Sequence, residues 1–156
     1  MTNKLIVLVL LILCFETALV NAQKTIAPKT PDYKISNLKI VPYDSYKGEF
    51  EEEIKPDDKD RSFFNDYSIS LLVVVEVSIE KGGYEAARTV QITVTEGKKI
   101  KKTKTEQMPP VEDNGKYYVP LWLDAGMCDT LTITAKINGQ KTASTKTRTV
   151  LFACGE

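Results

Sequence analysis

The chain has 156 residues, balances 21 basic against 21 acidic side chains, and contains no histidine. That length supports one domain with a real core rather than two, and a net charge of zero gives no global reason to expect nucleic acid or an anionic membrane surface as a partner. Without histidine the chain lacks the usual general base near neutral pH and the commonest transition-metal ligand, so hydrolase triads and zinc sites lose their central member.

At the N-terminus Lys4 precedes an apolar run from Leu5 to Phe15, followed by a more polar region ending Val20-Asn21-Ala22. This is the pattern of a secretory signal peptide over residues 1–22, cleaved after Ala22. The apolar run stops at Glu16, short of the roughly 20 residues that span a bilayer, so no membrane span is expected after cleavage. Cys14 follows Leu11-Ile12-Leu13, whose side chains are too large for lipoprotein processing. The mature chain is expected outside the cytoplasm, secreted or periplasmic. Its two cysteines, Cys128 and Cys154, are most simply read there as one disulfide.

Residues 23–32, QKTIAPKTPD, carry two prolines and no periodicity, which suits a flexible lead-in to a single domain over residues 33–156. In YKISNLKIVPYD the alternation breaks around Ser36 and Asn37, predicting a first strand with a bulge, and Pro42 predicts a strand end or an edge. Asp44 to Asp66 reads as a long acidic loop with room for a short strand around Phe50 to Ile54. Phe63, Phe64 and Tyr67 then return the chain to the interior.

Ser68 to Ile79 is the strongest strand in the sequence. Ile69, Leu71, Val73, Val75, Val77 and Ile79 form one apolar face, and the other face, Ser68, Ser70, Leu72, Val74, Glu76 and Ser78, is apolar only in its middle. Lys81-Gly82-Gly83 breaks the run. Arg88 to Thr95 alternates strictly, with Val90, Ile92 and Val94 inward, as in a half-exposed antiparallel strand. KKIKKTKTE follows a Glu96-Gly97 turn and has the charge of an edge strand. Asn114-Gly115 predicts a tight turn before KYYVPLWL, where Pro120 again marks an edge or bend.

Thr130 to Ile137 turns Leu131, Ile133, Ala135 and Ile137 inward. A second tight turn at Asn138-Gly139 leads to a last strand from about Lys141 to Cys154. That turn pairs Cys128 with Thr149 and puts Cys154 opposite Leu123. In this register the sulfurs meet only if Asp124 to Cys128 folds back along the last strand.

Seven to eight short strands with frequent turns predict an all-β, antiparallel two-sheet sandwich. In general pattern, Tyr33 to Glu156 resembles the immunoglobulin-like and fibronectin-like modules of bacterial secreted and surface proteins. It departs from antibody-type domains in its cysteines, which flank the last hairpin, while the central strand has none for an intersheet bridge. The resemblance implies architecture rather than an activity.

Three clusters invite a functional reading. Lys98, Lys99, Lys101, Lys102 and Lys104 could attract an anionic glycan, nucleic acid or an acidic protein segment, and the plainer reading is an edge strand kept soluble by charge. Tyr118 and Trp122 share one side of their strand and suit either a platform for a sugar or protein partner or a place in the core. PDDKD at residues 56–60 offers acidic oxygens but lacks the glycine and closing glutamate of a calcium loop, so no metal site is expected. No motif brings a nucleophile, a base and an oxyanion site together, which leaves no expectation of an enzyme or a cofactor. The sequence reading is therefore a non-catalytic binding or adhesion-type module with a protein or glycan partner, the alternative being a structural accessory domain of an envelope or extracellular assembly.

Overall fold

The structure, a computed structural model, describes residues 32–56, 58, 62–65, 67–79, 87–109 and 115–154. The expected signal peptide, the lead-in up to Pro31, the Lys81-Gly82-Gly83 break and Asn114 lie outside the described residues. Nine strands follow in order: β1 (Lys34–Asp44), β2 (Glu49–Phe50), β3 (Ser62–Asn65), β4 (Ile69–Ser78), β5 (Thr89–Glu96), β6 (Lys99–Gln107), β7 (Lys116–Leu123), β8 (Leu131–Asn138) and β9 (Ser144–Cys154). The expected count of seven to eight is exceeded through β2 and β3, two and four residues long. β2 overlaps the start of the short strand expected around Phe50 to Ile54, and β3 falls where Phe63 and Phe64 return the chain to the interior.

The strands form two sheets, ordered β2-β1-β4-β7 and β3-β9-β8-β5-β6. The first is antiparallel throughout, and the second is antiparallel except where β3 runs parallel to β9. Among the described residues there is no helix. One apolar cluster draws on both sheets. From β4 it takes Ile69, Leu71, Val73, Val75, Val77 and the following Ile79, and from the second sheet Val90, Ile92, Val94, Leu131, Ile133 and Val150. Alternation in β-branched strands therefore determines which face of each sheet is dry. The bulge in β1 falls between Ile35 and Asn37, as the broken alternation predicts.

Three expectations require correction. The Asn114-Gly115 dipeptide does not close a hairpin, because β6 and β7 are edge strands of different sheets and the chain crosses between layers there. Tyr67 does not return to the interior: it is 73% exposed with φ of 65°.

The β8–β9 register also differs, since Ile137 pairs with Ser144 and Leu131 with Val150. The turn is not a tight one at Asn138-Gly139, because the following residues are used to hold β1. The Gln140 side chain accepts a hydrogen bond from Tyr33 N at 3.0 Å and donates to Tyr33 O at 2.8 Å. Ser144 Oγ accepts from Ile35 N at 2.9 Å. Thr149 thus faces Thr132 instead of Cys128. The β8–β9 ladder ends at Leu131 paired with Val150, so Cys128 lies outside it, in the segment before β8.

Candidate functional site

The lysine-rich strand β6 is an edge, as its charge predicts. Its register explains what the lysines do. Val94, Ile92 and Val90 of β5 point into the core, and they pair with Lys102, Lys104 and Glu106. Those three side chains therefore lie on the core side of the second sheet, at its rim, and reach across to the edge of the first. Lys102 Nζ donates to Trp122 O and Lys104 Nζ to Pro120 O, both at 2.8 Å. Lys104 also pairs with Glu106 at 2.6 Å, and Glu106 accepts a hydrogen bond from the Tyr117 hydroxyl.

Lys101, displaced at the register shift beside Val94, binds Glu96 at 2.9 Å. Lys98 and Lys99 are exposed at the β5–β6 turn. Three of the five lysines thus serve the fold, and the patch offers a partner far less free charge than its sequence suggests.

The electrostatics of this rim follow from those contacts. Hydrogen bonds from Lys104 and Tyr117 hold the Glu106 carboxyl below its usual range. The same carboxylate, with burial, pushes the Tyr117 hydroxyl up to about 12. Glu96 is lowered mainly by the Cys128 backbone N–H, which donates to it at 2.6 Å.

A second region, on the outer face of the first sheet, has a different character. Ladder pairing aligns Val41 of β1 with Leu72 of β4 and Leu72 with Trp122 of β7. The next row is Lys39, Val74 and Pro120, and beyond it Glu76 pairs with Tyr118. In the other direction Tyr43 pairs with Ser70 and with Phe50 of β2. Because Ser70 is small, rings from the strands on either side close over it: Tyr43 and Trp122 lie 5.7 Å apart at 58°, Tyr43 and Phe50 5.1 Å apart at 59°, and Phe50 and Trp122 6.3 Å apart at 88°. Phe50 remains 54% exposed, Tyr118 46% and Trp122 36%. Outer faces of antiparallel sheets normally alternate to polar residues, so this apolar stripe departs from the usual surface.

Pro120 fits its place on β7. Its carbonyl points away from β4, toward Lys104, and its missing N–H points the same way, so the ladder to β4 loses nothing. Glu76, opposite Tyr118, is held by Ser36 Oγ at 2.7 Å and Lys116 Nζ at 3.0 Å. Those hydrogen bonds, the Ser36 one first, lower its carboxyl.

The structure thus brings Trp122 and Tyr118 to one exposed face of the first sheet and removes them from the core alternative, while Lys98 and Lys99 lie at the β5–β6 turn of the second sheet. Sequence reasoning had the signal for the remaining stripe in Leu72 and Val74, apolar in the middle of an otherwise polar face. It lacked the pairing that joins them to Val41, Tyr43 and Phe50. The side chain of Cys154, and Asp57 and Asp60 of the acidic segment, lie outside what is described. Among the described residues no group of three or more acidic or cysteine side chains is placed to hold a metal ion, and no helix is long and apolar enough to cross a membrane. No protein-family model matches the chain, and no curated protein matches it.

Proposed function

We propose that the chain is a secreted, non-catalytic, immunoglobulin-like recognition module that engages a macromolecular partner through the outer face of its first sheet. The observation that carries this reading is the half-exposed stripe of Trp122, Phe50, Tyr43, Leu72 and Val74 on a face that would ordinarily be polar. Clustered aromatic side chains of this kind supply much of the energy in protein interfaces.

The connectivity supports the immunoglobulin-like assignment. β1, β4 and β7 take the places of strands A, B and E in one sheet, while β5, β8 and β9 take those of C, F and G in the other, with β6 beside β5 as C′. The same reading includes a bridge between Cys128 and Cys154, which lie at the same end of the paired strands β8 and β9, Cys128 just before β8 and Cys154 at the end of β9. Such a bridge fits an oxidising compartment.

Retention of labelled mature domain by the extracytoplasmic fraction of its source tests the reading. Trp122→Ser is expected to reduce retention at least tenfold, and Lys98→Gln with Lys99→Gln to leave it within twofold. Loss of retention in the lysine variant with none in Trp122→Ser would move the site to the β5–β6 turn.

A further inference from the structure

We propose that the uncovered edge of β9, from Ser144 to Val150, takes up an extended acidic peptide as an added strand, with carboxylates at alternate positions. This site is separate from the outer face of the first sheet and does not depend on the reading of that face.

The backbone supplies the first observation. β9 has 11 residues, and β3 pairs only with the last four, Leu151 to Cys154. On that side Ser144 to Val150 has no strand beside it, and no backbone hydrogen bond among the described residues reaches it there. The facing edge of β1 is closed by contrast: Ser36 O and Leu38 O accept from Lys146 and Arg148, and Ile40 O and Pro42 O from the N–H groups of Ile54 and Glu51. An open strand edge is a template for a further strand, which gains affinity from main-chain hydrogen bonds and selectivity from alternate side chains. Beside it lies a groove of about 330 Å³ lined by Thr147, Arg148, Thr149 and Leu151 and by Lys55, Pro56 and Asp58.

Charge supplies the second. Lys146 pairs with Ala135 and Arg148 with Ile133, both core residues, so these two cations point to the rim between the sheets, while Thr145, Thr147 and Thr149 point to the outer face. Lys146 donates to Ser36 O and Arg148 to Leu38 O and Ile54 O, all neutral acceptors. Among the described residues neither they nor the exposed Lys55 meet a carboxylate. A strand laid along this edge sets every second side chain against cations that have no counter-ion, which selects aspartate or glutamate there. The side chains between them lie beside threonines.

The same charges exclude a second β9 as the added strand. Antiparallel pairing about Thr147 sets Lys146 opposite Arg148 of the other copy, twice over, and like charges directly opposite are destabilising. The edge of β6 is open as well, but its inward lysines Lys102 and Lys104 already meet Asp124 and Glu106.

The test uses a fluorescein-labelled heptapeptide that alternates threonine and glutamate, titrated with the mature chain, residues 23–156, and read by anisotropy. Saturable binding is expected, weakened about tenfold when the glutamates become glutamine and about fivefold by Lys55→Glu. N-methylation of one alternate set of the peptide's amides is expected to abolish binding and of the other set to spare it, because only one edge of an added strand faces β9. Amide hydrogen exchange should slow within Ser144 to Val150 and stay unchanged within Lys99 to Gln107. Trp122→Ser should leave the affinity unchanged.

No binding at millimolar concentration overturns the proposal, as does binding indifferent to both methylated peptides or slowed exchange that falls on β6. Affinity lost in Trp122→Ser and kept in Lys55→Glu also overturns it, and places the peptide on the outer face of the first sheet, whose own reading then stands.

Discussion

Tyr117 shows how local pairing sets behaviour at the scale of single residues. Its hydroxyl is pushed up to about 12 by Glu106, so the folded chain holds that proton more tightly than the unfolded one. The resulting stabilisation is fully present below about pH 10 and is lost as pH rises through the folded value. Of the seven tyrosines in the chain, Tyr117 is expected to ionise among the last; Tyr117→Phe should remove the highest step of the tyrosinate absorbance titration. Glu76 has the opposite sign. Its lowered carboxyl contributes stability that is present above about pH 4.5 and lost as pH falls through the folded value. Glu76→Gln should flatten the acid limb of stability against pH and cost about 1 to 2 kcal/mol at neutral pH through weakened bonds to Ser36 and Lys116, measured by urea unfolding. At this scale the sequence was legible where alternation applied: Trp122 and Tyr118 share a side in both readings. It was not legible for Tyr67, because nothing local signals a positive φ at tyrosine.

Among the elements, the two open sides of the sandwich are closed by one device used twice. On β6, Lys102 and Lys104 donate to the carbonyls of Trp122 and Pro120. On β9, Lys146 donates to Ser36 O, while Arg148 donates to Leu38 O at 3.1 Å and Ile54 O at 2.7 Å. In each case cations two residues apart reach backbone carbonyls of the facing sheet, and threonines fill the alternate positions, as in Lys102-Thr103-Lys104-Thr105 and Lys146-Thr147-Arg148-Thr149. Inward-pointing charge at a rim also blunts an edge against unwanted pairing. Arg148→Met, which loses two charge-assisted bonds, should cost about 2 to 4 kcal/mol. Lys102→Met, more exposed, should cost about 1 kcal/mol or less. Lys98→Met should stay within about 0.5 kcal/mol, and urea denaturation orders the three. The sequence shows the alternating cations and the edge character of β6. It cannot show that the lysines face a carbonyl of another sheet, because that depends on which strands end up opposite one another.

For the whole molecule, strand patterning predicts two antiparallel sheets, and the structure has them, with the parallel β3–β9 pair as the addition. The crossing from β6 to β7 and the β8–β9 register were not legible, since turn dipeptides describe local geometry and not what a loop docks against. Gln140 holding Tyr33 is such a contact. The proposed Cys128–Cys154 bridge would close a loop of about 27 residues and contribute roughly 3 to 4 kcal/mol in the chain-entropy model. Peptide mapping of unreduced protein is expected to find the two cysteines in one linked pair, and two free thiols would contradict it. The central claim is that the outer face of the first sheet is covered where the protein works. Trp122, the single tryptophan of the chain, reports on it. Radical footprinting read by mass spectrometry, comparing protein in its native setting with the isolated domain, should show Trp122 and Phe50 protected several-fold, with Ile100 of the second sheet labelled alike in both. Equal labelling of Trp122 in the two states would contradict the account.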